Sequence, residues 1–177
     1  LGYELYLPAE AAAAAWDRLL EAGHSLGVKP AGLGARDLLR LEMAYLLYGN
    51  DMNDETTPIE AGAGWVVKFD TGDFIGRAEL LAQHTKGPSR RLVAFELIEK
   101  GVPRHGFKIL NPDAPHAVIG EVTSGNLSPL LQKGIGMGYV TPAAAKVGAS
   151  ILIDIRGKSC PAMIVKPPFY KRTPSTS

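Results

Sequence analysis

Two arginines four residues apart, Arg36 and Arg40, are the side chains whose type and spacing most directly suggest chemistry. On a helix their guanidinium groups project from neighbouring turns of one face. Such a pair suits a ligand bearing carboxylates, because a guanidinium offers parallel N–H donors to both carboxylate oxygens. The favoured reading of the same spacing is a solvated polar face with an ion pair to Asp37 or another acid, a contact worth about 0–1 kcal/mol. Glu42 falls on the helical wheel between Ala35 and Leu38, inside the apolar arc. An unpaired carboxylate there would cost several kcal/mol, so the pattern predicts a buried ion pair with an arginine rather than a catalytic acid.

A second group lies downstream. Small residues in Ala61-Gly62-Ala63-Gly64 precede Trp65, and a backbone without bulk beside an aromatic ring can floor a slot for a planar heterocycle. Trp65 as an ordinary core residue fits the same pattern. Val122 to Pro129 gathers Thr123, Ser124, Asn126 and Ser128 in one short stretch. A serine nucleophile needs a base within hydrogen-bond reach, and the sequence offers no partner histidine. Ser124 and Ser128 are therefore expected to be turn residues serving local backbone groups. The phosphate-cradling patterns GxxxxGK[ST] and GxGxxG are absent from the sequence.

The elements that must hold these residues can be read from periodicity. Tyr3, Leu5 and Leu7 alternate with other residues and predict an opening strand, ended by Pro8. Helix formers from Ala11 to Leu20 run to Gly23, with Trp16, Leu19 and Leu20 as the apolar stripe. A second helix is predicted from Ala35 to Leu47, a strand at Trp65 to Phe69, and a third helix from Gly76 to His84. After Lys86-Gly87-Pro88-Ser89 the texture changes to short β-type runs: 91–97, 107–110, 117–123, 135–140, 150–155 and 162–165. Turn residues separate them at regular spacing, which predicts an all-β barrel or sandwich.

Composition narrows the function classes. The 177 residues are 46% hydrophobic and 21% charged, enough apolar material for a core without a staple. A net charge of +1 gives no basic excess of the kind that phosphate neutralisation requires, so nucleic acid is not the expected partner. The single cysteine, Cys160, rules out an internal disulfide and fits a reducing compartment. Four histidines lack metal-ligand spacing, no metal site is expected, and no apolar run approaches the ~20 residues that span a bilayer. The opening has no initiating Met and no signal-peptide character, as expected of a truncated or processed chain.

Seven ordered blocks resemble the glycine cleavage T-protein family. They begin with Gly32-Leu33-Gly34-Ala35-Arg36-Asp37-Leu38-Leu39-Arg40-Leu41-Glu42, which runs on to Leu47-Tyr48-Gly49-Asn50-Asp51. Thr57-Pro58-Ile59-Glu60-Ala61-Gly62, Asp73-Phe74-Ile75-Gly76 and Arg90-Arg91-Leu92-Val93 follow. The last are Arg104-His105-Gly106, Val122-Thr123-Ser124-Gly125 with Ser128-Pro129, and Lys166-Pro167-Pro168-Phe169-Tyr170-Lys171.

The resemblance implies an α+β protein in which a truncated mixed α/β folate-binding region, residues 1–87, precedes a C-terminal antiparallel β-barrel domain, residues 88–172. Residues 173–177 are expected to form a disordered tail. It implies a tetrahydrofolate-dependent aminomethyltransferase. That enzyme transfers a one-carbon unit from aminomethyl-lipoate on H-protein to tetrahydrofolate and releases ammonia, in the cytoplasm or, in a eukaryote, the mitochondrion. The family's catalytic carboxylate matches no residue here and is expected upstream, in a missing N-terminal half, so the chain alone is expected to be inactive. By resemblance, Arg36 matches a folate-contacting arginine and Tyr45 a folate-tail tyrosine. Arg104 matches an arginine near the ligand opening, and Arg172 approaches the folate tail. Two relatives of the same fold compete: a non-catalytic folate-binding module and the folate domain of flavin-dependent demethylating dehydrogenases. The first carries a lysine–glycine–cysteine motif, where this chain reads Lys158-Ser159-Cys160-Pro161.

Overall fold

The computed structural model describes residues 2–171. By compactness the chain divides into two units, Leu1–Arg36 and Asp37–Ser177. The division falls well before the polar segment 86–89, where helical structure gives way to strands. The reason is visible in the bonding: Arg40, Glu42 and Asp51 all bond to hydroxyls of the strand region.

The first unit holds helix α1, Ala12–Gly23, and the start of α2, Leu33–Glu42. The alternation at Tyr3 to Leu7 does not make a strand: residues 2–8 carry no regular structure, and Tyr3 and Tyr6 are exposed. Alternation is a pattern of side chains, whereas a strand needs a neighbour for its ladder.

The second unit is built on six strands: β1 Arg91–Leu97, β2 Lys108–Asn111, β3 Ala114–Ser128, β4 Lys133–Val140, β5 Ser150–Ile155 and β6 Lys158–Val165. They close antiparallel into a barrel in the order β1-β4-β3-β2-β5-β6. All six predicted runs fall on strands. Val93, Phe95 and Leu97 of β1 point inward to a core with Ile109, Val122, Ile151, Ile153 and Ile164. The large inward residues fit because β4 alternates Gly134, Gly136 and Gly138 with Ile135, Met137 and Tyr139. A β-carbon at Gly136 would lie 2.5 Å from the Phe95 ring, and one at Gly138 would lie 2.8 Å from Ile109 Cδ1.

The alternate faces of β1 and β4 are buried from outside. Ala94, Ile135 and Met137 pack with Leu41 of α2, and Phe169 joins them. Helix α2 stops at Glu42 rather than continuing to Leu47. Ala44 takes the left-handed conformation, φ 53°, while its N–H bonds to the Leu41 carbonyl and that of Tyr45 to the Arg40 carbonyl. This paired closure is the Schellman motif. Its usual sequence signal is glycine, and alanine in that position hid the stop. The strand expected at Trp65 to Phe69 is instead a short 3-10 turn, Gly64–Val66, and helix α3 spans Arg77–Lys86.

Candidate functional site

Beyond the end of α2 the chain doubles back through Leu47 to Asp51. Gly49 supplies the positive φ of 87° that the turn requires. The turn delivers the Asp51 side chain into the protein, where it is fully buried. Its Oδ2 accepts Arg40 Nη1 at 2.5 Å and the Leu47 amide at 3.0 Å. Its Oδ1 accepts Thr123 Oγ1 at 2.5 Å and Ser124 Oγ at 2.7 Å. The Tyr139 hydroxyl donates to the Asp51 carbonyl at 2.8 Å.

Two consecutive hydroxyls reach one carboxylate oxygen because β3 is irregular there. Val122 pairs with Gly138 and Ser124 with Met137, leaving Thr123 as an extra residue. Such a bulge re-aims side chains that would otherwise point to opposite faces.

Three sequence expectations are corrected here. Arg40 makes the expected ion pair to Asp37 but not on a solvated face: it is 8% exposed, and it also donates to Asp51, Ser124 and the Tyr45 carbonyl. Glu42 is buried without an arginine. Its Oε1 accepts Ser128 Oγ at 2.6 Å, and its carbonyl accepts the Tyr170 amide. Ser124 and Ser128 lie in β3 and bond across more than 70 residues of sequence, although Ser128 also accepts the Leu131 amide locally. A periodicity argument finds the face of a helix but not the partner that buries its polar side.

Tyr139, whose hydroxyl joins this Asp51 hub, has a shifted ionisation. Burial pushes its phenol up to about 12; the Arg90 guanidinium, 4.5 Å over its ring, opposes this, while the Glu60 and Asp51 carboxylates add to it. An unfolded tyrosine titrates near 10, so above roughly pH 10 the unfolded chain releases a proton that the folded chain keeps. Stability contributed by Tyr139 is thus complete below about pH 10 and is lost as pH rises toward 12. Tyr139→Phe is expected to cost about 1–3 kcal/mol near neutrality, by stranding the Asp51 carbonyl. It should also flatten the alkaline decline. Urea midpoints at pH 8 and pH 11 for both chains check this.

Next to the hub opens a cavity of about 440 Å³. Tyr45 and Trp65 line it, with Gly62 and Ala63, Leu92 and Met137 of the barrel wall, and Pro167 and Pro168 after the last strand. Tyr45 is 63% and Trp65 77% exposed, so Trp65 is a wall of the slot rather than a core residue. Gly62, at φ 74°, turns the chain along the slot. None of the lining side chains is charged. An apolar cleft with two aromatic faces accommodates a flat ring, and it offers no cation for an acidic substituent.

Among the sequence-predicted site residues that the structure describes, Tyr45 lines this slot. Arg36 is exposed at the end of the first unit. Arg104 is exposed beside His105, whose Nδ1 lies 2.8 Å from the Thr123 carbonyl, and it does not line the slot. Arg172 lies outside the described residues. Sequence reasoning missed Pro167 and Pro168 as slot walls and Asp51 as the hub. No local pattern marks an aspartate as buried when its partners sit 72 and 73 residues away.

Among the described residues no helix is long and apolar enough to cross a membrane. The family model described as the GCVT N-terminal domain matches residues 1–71. That of the glycine cleavage T-protein C-terminal barrel domain matches residues 90–171. An aminomethyltransferase of Bacteroides thetaiotaomicron is 54% identical over 171 residues, covering 96% of this chain and 47% of the relative. One from Halothermothrix orenii is 53% identical over 170 residues, covering 96% of this chain and 46% of the relative. The crystal structure of the glycine cleavage system aminomethyltransferase T from Bartonella henselae superposes with a TM-score of 0.81 at 34% identity. That match covers 93% of this chain and 45% of the other. The chain thus spans about half the length of the curated relatives it matches.

Proposed function

Because this chain belongs to the glycine cleavage T-protein family, we propose that it serves an aminomethyltransferase that moves a one-carbon unit from aminomethyl-lipoyl H-protein to tetrahydrofolate, with release of ammonia. The observation that carries this reading beyond family membership is the uncharged slot between Tyr45 and Trp65, shaped for a flat aromatic ring. Tetrahydrofolate is such a ligand at one end and an anion at the other. The slot residues fit its aromatic portion, and they do not fit its carboxylates.

The proposed division of labour follows from that contrast. Tyr45, matched by resemblance to a folate-tail tyrosine, is here proposed to hold a ring together with Trp65, while Arg36, Arg104 and Arg172 remain the candidates for the acidic tail. Charge-assisted contacts of that kind contribute about 1.5–3 kcal/mol each. The carboxylate that polarises the reacting folate nitrogen is proposed to come from outside these 177 residues, so the chain alone is expected to be inactive. We keep 1–87 as folate-binding region and 88–172 as barrel domain in this proposal, with H-protein as protein partner and the cytoplasm as setting. Identity of 54% to a curated aminomethyltransferase favours this role over a non-catalytic folate module or a demethylating dehydrogenase domain.

Isothermal titration of tetrahydrofolate into the chain tests the reading. The expected dissociation constant is weaker than about 1 μM, which corresponds to −8.2 kcal/mol, and Tyr45→Ala should weaken it further. Submicromolar affinity would overturn the proposal that a carboxylate needed at the folate site lies outside these residues. Binding that ignores Tyr45→Ala would overturn the assignment of the slot.

A further inference from the structure

Tyr45 is mostly exposed, so side-chain packing does not fix its ring. Its backbone is fixed instead, and from one residue. The Arg40 carbonyl accepts the Tyr45 amide at 2.8 Å, and Arg40 Nη1 donates to the Tyr45 carbonyl at 3.2 Å. Both backbone polar groups of Tyr45 are therefore held by Arg40. Between them Ala44 occupies left-handed backbone, which an alanine adopts only under constraint.

The guanidinium that does the holding is itself immobilised. Nη1 also meets Asp51 Oδ2, Nη2 donates to Ser124 Oγ at 2.9 Å, and Nε donates to Asp37 Oδ1 at 2.8 Å. Ser124 and Thr123 in turn bind the opposite oxygen of Asp51. The geometry thus runs from the β3 bulge, through Asp51 and Arg40, to the backbone of a slot residue. A buried ion pair serving stability alone would require the Asp51 contact but not a bond to Tyr45.

We infer that Arg40 is a positioning residue for the ligand slot: it sets the place of the Tyr45 ring by clamping the Tyr45 backbone, with Asp51 and the β3 bulge as its anchor. The ligand half of this inference rests on the reading of the slot as a tetrahydrofolate site, and the clamp itself does not.

Arg40→Lys in the full chain separates clamp from ion pair. A lysine keeps a cation near Asp51 but lacks the fork that reaches Ser124 and the Tyr45 carbonyl at once. Amide hydrogen exchange is expected to quicken at least tenfold at residues 43–47 while β1 and β4 keep the parent rates. Tetrahydrofolate binding should weaken, and Arg40→Lys with Tyr45→Ala should bind no worse than Tyr45→Ala alone. If Arg40→Lys does not fold, Ser124→Ala removes a single anchor and should give the same localised pattern at smaller size. Uniform acceleration across the barrel would overturn the inference. So would unchanged affinity in Arg40→Lys when Tyr45→Ala weakens binding. If Tyr45→Ala leaves affinity unchanged, the slot assignment fails. The exchange pattern then decides the clamp alone, localised acceleration upholding it and uniform acceleration refuting it.

Discussion

Asp51→Ala is expected to lower the unfolding free energy of the chain by about 3–5 kcal/mol, the usual effect of removing one partner from a buried charge pair. The carboxylate is fully buried and accepts four hydrogen bonds, from Arg40, the Leu47 amide, Thr123 and Ser124. Its loss leaves a buried guanidinium short of its main counter-charge and strands the Ser124 hydroxyl and the Leu47 amide, while the Thr123 hydroxyl keeps the Met137 carbonyl as acceptor. Domains are typically stable by about 5–15 kcal/mol, so this single change removes a large share. Arg40→Ala should be similarly costly, and the double variant should cost much less than the sum of the two. Urea unfolding of the three variants measures the coupling. Additive effects would mean that the pair acts through separate surroundings rather than on each other.

Gly136→Val is expected to cost about 3 kcal/mol through overpacking, at the upper end of the usual range. Even a single β-carbon at this position would sit 2.5 Å from Phe95 Cζ and 2.9 Å from the Ser124 carbonyl. Phe95 is fully buried in the barrel core. The Ser124 carbonyl belongs to β3, so relief on that side means moving a neighbouring strand. Two further methyl groups make the strain worse. The effect should appear in the denaturant midpoint and as quickened amide exchange in β1 and β4. It should be partly reversed by Phe95→Leu, which vacates the ring. If Gly136→Val is neutral, the account of the alternating β4 glycines as space for the inward residues of β1 and β2 is wrong.

The barrel was legible because a half-buried strand writes its period into the sequence. Each of the six β runs predicted after residue 89 overlaps a strand, and the runs at 91–97 and 150–155 match their strands end to end. The helices were located but not delimited. Helix α2 ended five residues early because Ala44, not glycine, takes the left-handed position. Tyr3 to Leu7 shows the converse, an alternating pattern without a ladder.

The site was legible only in part. Trp65 and Tyr45 could be singled out from residue type and resemblance, and both line the slot. Asp51 could not, since what makes it central is a bulge at Thr123 and two hydroxyls distant in sequence. Glu42 was recognised as a buried carboxylate but given the wrong partner. The wheel shows which face an acid occupies, while the hydroxyl that meets it lies on β3. Long-range polar pairing has no period, and no local rule recovers it.

The most direct test of the functional account is a transplant. This chain would replace the matching 47% of the Bacteroides thetaiotaomicron aminomethyltransferase, and tetrahydrofolate-dependent ammonia release from aminomethyl-lipoyl H-protein would be measured. The account predicts a rate within about tenfold of the unaltered enzyme, a barrier change of no more than about 1.4 kcal/mol. A chimera that unfolds cooperatively like its parent yet releases no ammonia above the enzyme-free rate would contradict it.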